Sequence, residues 1–130
     1  LDNLFVRMKR YGADMLEGKN IAGEFIFPEA ALQVKLSMVQ RRDLYLVYKE
    51  VVNNLVKYSE ATQASIKVSI GRQKLVMEIG DNGKGFDTAT VIYGNGLNNI
   101  RQRAESCNGV LDIHTAPGKG TLIYFEMPLS

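Results

Sequence analysis

The sequence predicts an α+β protein, a two-layer sandwich in which helices cover one face of a mixed, largely antiparallel sheet. Two observations lead to this fold class. Hydrophobic spacing switches between helical and alternating patterns in the order helix, strand, helix, hairpin, helix, hairpin. Short turns join the strands of each hairpin, which makes those pairs antiparallel. The chain has 130 residues, 45% of them hydrophobic, which is enough for one domain with a single core, and we assign residues 1–130 to it.

The bounds of each predicted element come from the spacing of its apolar residues. These residues repeat every three or four positions in the helices and alternate in the strands. The expected helices cover residues 1–18, 42–59 and 97–107, and the expected strands cover 24–27, 62–70, 74–80, 110–115 and 121–128. Residues 29–40 predict a loop with some helix. Asp43 is expected in the first turn of the second helix, where a carboxylate complements the positive end of the helix dipole.

Composition argues against several classes of function. The net charge of +2 is small and no basic stripe with interleaved aromatic residues is present, so no nucleic-acid partner is expected. The single cysteine, Cys107, excludes an internal disulfide and a cysteine metal cage. Its place on an apolar helix face predicts core packing rather than chemistry.

The sequence shows no sign of a membrane segment. No apolar run approaches the roughly 18 residues of a membrane helix, and no signal peptide is visible. We therefore expect a cytoplasmic domain that makes no direct membrane contact. The chain begins with Leu1 rather than methionine, which suggests a piece of a longer protein, and that parent protein could be membrane-anchored.

The stretch Glu78–Asp87 is the part of the chain around which chemistry is expected. An apolar predicted strand leads directly into Asp81, and Gly83 and Gly85 follow. This arrangement places a carboxylate acceptor at the end of a sheet, beside glycines that let the backbone approach a ligand closely. Asp-Asn-Gly is also an ordinary turn sequence, so the local pattern allows a turn without a ligand.

Four polar residues share one side of the second predicted helix: Glu50, Asn54, Lys57 and Tyr58. Glu50 offers a carboxylate, Asn54 an amide oxygen and Lys57 a cation. Magnesium prefers hard oxygen ligands and keeps several waters while it bridges phosphates, so a single amide oxygen would suit it. A solvated helix face would carry the same residue types, and these four residues alone do not decide between the two.

Two further glycine pairs could lie near the same ligand. Gly94 and Gly96 precede the third predicted helix, whose free N–H groups could bind phosphate, although a flexible loop tip has the same composition. Gly118–Gly120 could form only a hairpin turn, but Thr121 would reach the ligand of Asp81 if their strands are neighbours. The spacing of Gly94 and Gly96 matches neither a dinucleotide-binding fingerprint nor a P-loop.

Together these segments resemble the GHKL ATP-binding fold, or Bergerat fold, and within it the catalytic domain of bacterial sensor histidine kinases. The motifs that carry the resemblance are an asparagine box at Lys49–Ser59 and three glycine boxes, at Asp81–Gly85, at Gly94–Leu97 with Arg103, and at Gly118–Thr121. They follow in the family order and span roughly residues 40 to 128. The chain departs from the family at Tyr58, where many members carry histidine. The short segment from Phe86 to Gly94 is similar to the lid of the subgroup related to nitrate- and membrane-fluidity-sensing kinases.

The resemblance implies a role for each candidate site residue, with ATP and Mg²⁺ as cofactors. Asp81 would accept a hydrogen bond from the adenine amino group, assisted by Thr121. Asn54 would bind the metal, and Lys57 would hold phosphate and share in catalysis. Glu50 would act as a base or orient water. The remaining nucleotide-binding positions would be Tyr58, Gly83, Gly85, Gly94, Gly96, Leu97 and Gly120.

A histidine kinase needs a histidine that accepts the phosphoryl group. The only histidine here, His114, lies on a predicted strand and lacks the acidic neighbour and helical setting of the family's acceptor, so we interpret it as a structural or surface residue. The resemblance therefore implies an acceptor on an upstream dimerisation domain of the same protein, with residues 1–18 as the junction helix and a response regulator as an indirect partner. Two alternatives stay open: a stand-alone GHKL serine kinase of the anti-sigma-factor type, and a nucleotide-binding module without catalysis.

Overall fold

The computed structural model describes residues 4–27, 36–71, 73–85 and 96–129. Within these ranges the chain forms three helices and five strands, in the order expected from the sequence. The helices are α1 (Leu4–Glu17), α2 (Met38–Tyr58) and α3 (Gly96–Ser106), and the strands are β1 (Ala22–Ile26), β2 (Gln63–Gly71), β3 (Lys74–Asp81), β4 (Val110–Thr115) and β5 (Thr121–Pro128). The bounds expected for β4 and β5 are confirmed, whereas β1 begins earlier in the chain than expected.

The five strands form one mixed sheet in the order β1-β2-β3-β5-β4. β1 runs parallel to β2, and the other neighbouring pairs are antiparallel, as expected for a largely antiparallel sheet. The register of β3 and β5 places Asp81 opposite Thr121. Strand pairing therefore brings two of the predicted site residues to the same end of the sheet.

One face of the sheet is buried against the helices. Along β2, Ala64, Ile66 and Val68 are buried, while the residues between them are exposed. α1 packs beside β1 and α2, and α3 packs beside α2 and β4, so α2 lies between the other two helices. His114 lies exposed on β4, as expected for a surface strand residue, and Cys107 is buried in the core. The two-layer α+β fold class is confirmed.

A buried hydrogen bond joins α1 to α2. The hydroxyl of Tyr48, a fully buried side chain, donates to the carbonyl oxygen of Met8 at 2.6 Å. Gly12 allows this contact, because a Cβ at that position would overlap the same hydroxyl. Further along, the hydroxyl of Tyr11 donates to Oδ1 of Asn53 at 2.7 Å. Contacting residues thus advance together along both helices, and α1 and α2 run parallel.

The start of α2 corrects one expectation. Ser37 caps the helix: its side chain accepts the backbone N–H of Gln40, whose own side chain accepts the backbone N–H of Ser37. α2 therefore begins at Met38, and the expected place of Asp43 in the first turn is wrong. Asp43 lies in the second turn, is only 1% exposed and accepts a hydrogen bond from Oγ of Ser106 at 3.2 Å. The serine-x-x-glutamine pattern was the sequence signal for the earlier start.

Two expected segments lie outside the described ranges. They are most of the loop expected over residues 29–40, and the lid expected over residues 86–94. The existence of a lid therefore stays a prediction. Among the helices of the described ranges, none combines the length and the apolar character needed to cross a bilayer.

Candidate functional site

Asp81, the last residue of β3, lies partly buried at the end of the sheet. Its Oδ1 accepts the backbone N–H of Gly83 at 2.8 Å, and the backbone N–H of Thr121 also donates to the carboxylate. Burial raises the pKa of Asp81 above its ordinary value, and these two hydrogen bonds oppose the rise. A carboxylate can accept about four hydrogen bonds, so Asp81 keeps capacity for a further donor.

The raised pKa of Asp81 has a consequence for stability. The folded state holds the proton of this carboxyl more tightly than the unfolded state, so the group favours folding at pH values below its unfolded pKa. That contribution is lost as the pH rises through the folded-state pKa. A partly buried carboxylate that keeps acceptor capacity at the end of a sheet is suited to a ligand that donates a hydrogen bond to it.

Three glycines near Asp81 stand where backbone segments meet too closely for a side chain. A Cβ at Gly83 would overlap the carbonyl oxygen of Ser59, the residue that caps the end of α2. A Cβ at Gly85 would overlap the loop between β4 and β5, and one at Gly120 would overlap the carbonyl oxygen of Asp81. Gly85 and Gly120 also have positive φ angles, 63° and 74°, which glycine adopts without strain. We call this meeting of Ser59, Gly83, Gly85 and Gly120 the backbone junction.

Hydrogen bonds hold the backbone junction together. The N–H of Lys84 donates to the carbonyl oxygen of Ser59 at 2.8 Å, and the carbonyl oxygen of Lys84 accepts the N–H of Gly118 at 2.5 Å. On the surface, Nζ of Lys84 forms an ion pair with Glu60 at 2.9 Å. The loop after β3 is therefore tied to the end of α2 on one side and to the turn between β4 and β5 on the other.

The structure contains the polar face predicted on α2. The side chain of Asn54 on this face has a nitrogen without a hydrogen-bond partner among the described residues. Glu50 and Asn54 are half-buried, Lys57 is exposed in the last turn and Tyr58 is the last residue of the helix. Nδ2 of Asn54 is buried and forms no hydrogen bond with any described residue. A buried amide without a partner costs about 1–3 kcal/mol, which favours a ligand site here over a merely solvated helix face.

Glu50 lines a groove of about 510 Å³ between α2 and α3. Asn53 lies on the same wall, and the opposite wall includes Asn99 and Arg103. At the other end of α3, the carboxylate of Asp43 lies 4.0 Å from Arg103 and binds Ser106. α3 therefore runs antiparallel to α2 and begins towards the end of α2 that carries Asn54.

The first turn of α3 contains part of the second glycine box. The helix begins at Gly96, and its first backbone N–H groups have no carbonyl partner within the helix. Gly94 and the side chain of Leu97 lie outside the described part of the chain, so their nucleotide-binding roles stay predictions.

One known protein family matches most of the chain. Residues 39–130 match the family of histidine kinase-, DNA gyrase B- and HSP90-like ATPases. The chain belongs to this ATPase family. The match spans the asparagine box and all three glycine boxes. Because the family consists of ATPases, nucleotide use is the chemistry associated with this site.

Two curated relatives of this ATPase domain come from Bacillus subtilis (strain 168). The sensor histidine kinase LiaS is 31% identical over 87 residues, which are 66% of this chain and 24% of LiaS. The signal transduction histidine-protein kinase/phosphatase DegS is 33% identical over 91 residues, which are 67% of this chain and 24% of DegS. The chain thus spans about a quarter of the length of these two relatives.

Solved structures of histidine kinases have the same fold. The histidine kinase domain of the blue-light activated kinase of Erythrobacter litoralis EL346 superposes with a TM-score of 0.82 at 16% identity, over 97% of this chain and 61% of that one. The nucleotide-free catalytic domain of histidine kinase ThkA gives a TM-score of 0.78 at 16% identity, over 98% of this chain and 92% of that one. At these identities the likeness concerns the fold alone.

The donor set of the ATPase site fits a magnesium ion that is held mainly by its nucleotide. Among the described residues, no group of three or more histidine, cysteine, aspartate or glutamate side chains could hold a metal. Asn54 offers one amide oxygen, Oδ1, as a metal ligand, whereas its Nδ2, which has no hydrogen-bond partner among the described residues, is a donor that suits a phosphate oxygen rather than the ion. Mg²⁺ is commonly bound through few protein ligands together with phosphate oxygens and water, so this single amide suffices.

Sequence reasoning missed two residues that support the site. Oδ1 of Asn82 accepts the N–H groups of Thr62 and Gln63, both at 2.9 Å, and ties the loop after β3 to the start of β2. Oγ1 of Thr115 lies 2.9 Å from Oγ1 of Thr121. The Asp-Asn-Gly pattern signalled Asn82. No local signal identified Thr115, because its position opposite Thr121 depends on strand register.

Replacement of Gly85 by alanine should reveal the backbone junction. We expect Gly85→Ala to lower the free energy of unfolding by about 2 kcal/mol or more, because a methyl group would add left-handed strain and displace the facing loop. Gly71→Ala is the matched control, since a Cβ there meets nothing within 4 Å, and it should change stability by less than about 1 kcal/mol. Urea denaturation measures both values, and equal losses would contradict the junction.

Proposed function

We propose that this chain is the cytoplasmic, ATP-binding catalytic domain of a sensor histidine kinase. It transfers the γ-phosphoryl group of ATP to a histidine on a separate, upstream dimerisation domain of the same protein, from which a response regulator receives it. The observation that carries the proposal is Asp81: a partly buried carboxylate with spare acceptor capacity, beside Gly83, Gly85 and Gly120 of the glycine boxes of an ATPase family. The similarity to LiaS and DegS supports the histidine kinase assignment.

Asp81 recognises the base in this proposal. Its carboxylate accepts a hydrogen bond from the adenine amino group, in addition to the two backbone N–H groups that it already accepts. A ligand without that amine leaves a desolvated acceptor unpaired, which is the physical basis of selectivity for adenine. Thr121 lies opposite Asp81 in the register of β3 and β5. The Thr121 hydroxyl is hydrogen-bonded to the Thr115 hydroxyl and assists Asp81 in binding the adenine base.

The phosphates lie towards the facing ends of α2 and α3 in this proposal. Lys57 is an exposed cation in the last turn of α2 and offsets phosphate charge. Gly96 begins α3, whose free N–H groups and positive dipole end favour an anion. Gly94 and Leu97 complete this box, and Tyr58 takes the place where relatives carry histidine. Asn54 would hold a Mg²⁺ ion through its amide oxygen, and the ion would offset phosphate charge.

Catalysis by such a domain is mainly positioning and charge stabilisation, so the domain needs no nucleophile of its own. Glu50 lines the groove between α2 and α3, where its half-buried carboxylate can orient a donor or accept a proton. His114 lies exposed on the edge strand β4 and is not the acceptor. Membership of the short-lid subgroup is part of the proposal and depends on residues 86–94, which lie outside the described ranges.

Asn54 should matter for the metal more than for the base. We expect Asn54→Ala to weaken binding of ATP with Mg²⁺ by about tenfold or more, because the ion loses its protein ligand. Binding of ADP in the presence of a chelator should change by less than about twofold. Asn53→Ala is the matched control, since Asn53 bonds Tyr11 instead and should leave both affinities unchanged. Titration calorimetry gives all the values, and equal losses with and without metal would refute the metal role.

The acceptor of the phosphoryl group can be identified by its chemistry. The chain alone should bind ATP and yet label itself hardly at all, because it lacks an acceptor in a suitable setting. The same chain joined to the upstream domain of its parent should become labelled from γ-labelled ATP on a histidine there, and acid should remove that label. An acid-stable label would indicate the serine kinase alternative. Loss of the label in His114→Ala would show that the assignment of the acceptor is wrong.

A further inference from the structure

A concave surface lies where α1 and α2 begin. Because the two helices run parallel, they start at the same end of the fold. Near these starts a groove of about 390 Å³ lies between them, and the described residues that line it are Arg7, Met38, Arg41, Arg42, Tyr45 and Leu46. We call it the arginine groove, because arginine is its commonest lining residue.

The arginine groove concentrates positive charge. Arg7, Arg41 and Arg42 line it, and no acidic side chain does so among the described residues. Like charges that share one groove repel one another. Acidic side chains in the first turns of α1 and α2 would offset this repulsion and would also suit the helix dipoles, but neither helix has one there. The groove is therefore strongly basic in a chain whose net charge is only +2.

Two of the arginines are held in place by neighbouring side chains. The guanidinium of Arg7 lies over the ring of Tyr45, with its central carbon 5.1 Å from the ring centroid. Nε of Arg42 lies 3.5 Å from Oδ1 of Asp43, whose side chain is buried. A guanidinium that is already oriented loses less side-chain entropy when it binds an anion, and its planar set of donors suits a carboxylate. The arginine groove is thus preorganised for an anionic ligand.

Apolar surface adjoins the arginines on both helices. On α2, Met38 is 86% exposed and Val39 is 52% exposed, and on α1 Val6 is 51% exposed. Met38 also lines the groove, together with Tyr45 and Leu46. An inorganic anion would contact the arginines and leave this apolar surface in water. A ligand that fits both parts carries an apolar group among its negative charges.

We propose that the arginine groove is a docking site for an acidic segment of another polypeptide, in which carboxylates flank an apolar side chain. The carboxylates bind Arg7, Arg41 and Arg42 through charge-assisted hydrogen bonds. The apolar side chain packs against Met38. A projecting side chain can enter a concave groove, whereas a flat membrane surface contacts only its rim.

The arginine groove is separate from the nucleotide site. It lies at the beginning of α2, and at the rise of an α-helix Arg42 is about 18 Å along the axis from Asn54. The backbone junction lies at the opposite end of α2, where Ser59 meets Gly83. Docking at the arginine groove therefore leaves the nucleotide site open, and the proposal does not depend on the histidine kinase assignment.

A synthetic peptide tests the basic part of the site on the intact chain. The probe is a fluorescently labelled peptide in which glutamates flank a central leucine. Its anisotropy in dilute salt should show saturable binding that weakens as ionic strength rises. Arg7→Gln should weaken this binding about tenfold, because one oriented cation is lost. Lys67→Gln is the matched control, since it removes the same charge from an exposed position on the other face of the sheet, and it should change the affinity by less than about twofold.

A double-mutant cycle tests the apolar part of the site. Replacement of the central leucine of the peptide by serine should weaken binding about fivefold, and Met38→Ser in the chain should weaken it by a similar factor. The two changes together should weaken binding little more than either alone, because they remove the same contact. Losses that multiply would mean that Met38 does not contact the leucine, and would contradict the proposed site.

Other results would also overturn the proposal. One is the absence of saturable binding to the peptide. Another is an equal loss of affinity in Arg7→Gln and Lys67→Gln, which would indicate a general effect of net charge. Displacement of the peptide by an equal concentration of inorganic phosphate would indicate a simple anion site. Binding to vesicles that contain phosphatidylserine, without binding to the peptide, would indicate a membrane surface.

Discussion

The rest of the site depends on one constraint, a close contact between backbone segments. The segments are the end of α2, the loop after β3 and the turn before β5. Ser59, Gly83, Gly85 and Gly120 approach so closely that a single Cβ would overlap a carbonyl group. The helix that carries Asn54 is thereby fixed against the strand that carries Asp81. The glycine boxes thus have a structural role that is independent of any ligand, in addition to the close approach to phosphate that a glycine permits.

The two layers of the fold bring polar groups with spare hydrogen-bonding capacity to one edge. Strand register sets Thr121 beside Asp81, and the antiparallel packing of α3 on α2 places the start of α3, at Gly96, towards the end of α2 that carries Asn54. Asp43 fixes the far end of that helix pair through Ser106. Burial raises the pKa of Asp81, and Nδ2 of Asn54 has no hydrogen-bond partner among the described residues, so this edge is held in place by packing elsewhere in the core. Such a preformed site suits an enzyme whose work is positioning.

Much of the fold could be predicted because its signals are local. Alternating apolar residues identified β2, and the bounds of β4 and β5 followed from the turn around Gly118. Asp81, Gly83 and Gly85 stood out because a strand leads into them. The role of Asp43 could not be predicted, because its partner Ser106 lies far along the chain and its helix began earlier than the apolar pattern suggested. Thr115 was missed for a similar reason, since register rather than local sequence places it beside Thr121.

The most direct test of this account measures whether Asp81 reads the amino group of adenine. The affinities of the wild-type chain and of Asp81→Asn would be measured for ATP and for purine riboside triphosphate, which lacks that amine. We expect the wild-type chain to prefer ATP by about tenfold or more, because the analogue leaves the partly buried carboxylate of Asp81 one donor short, and we expect the preference to disappear in the variant. The same preference in wild type and in a folded Asp81→Asn variant would contradict it.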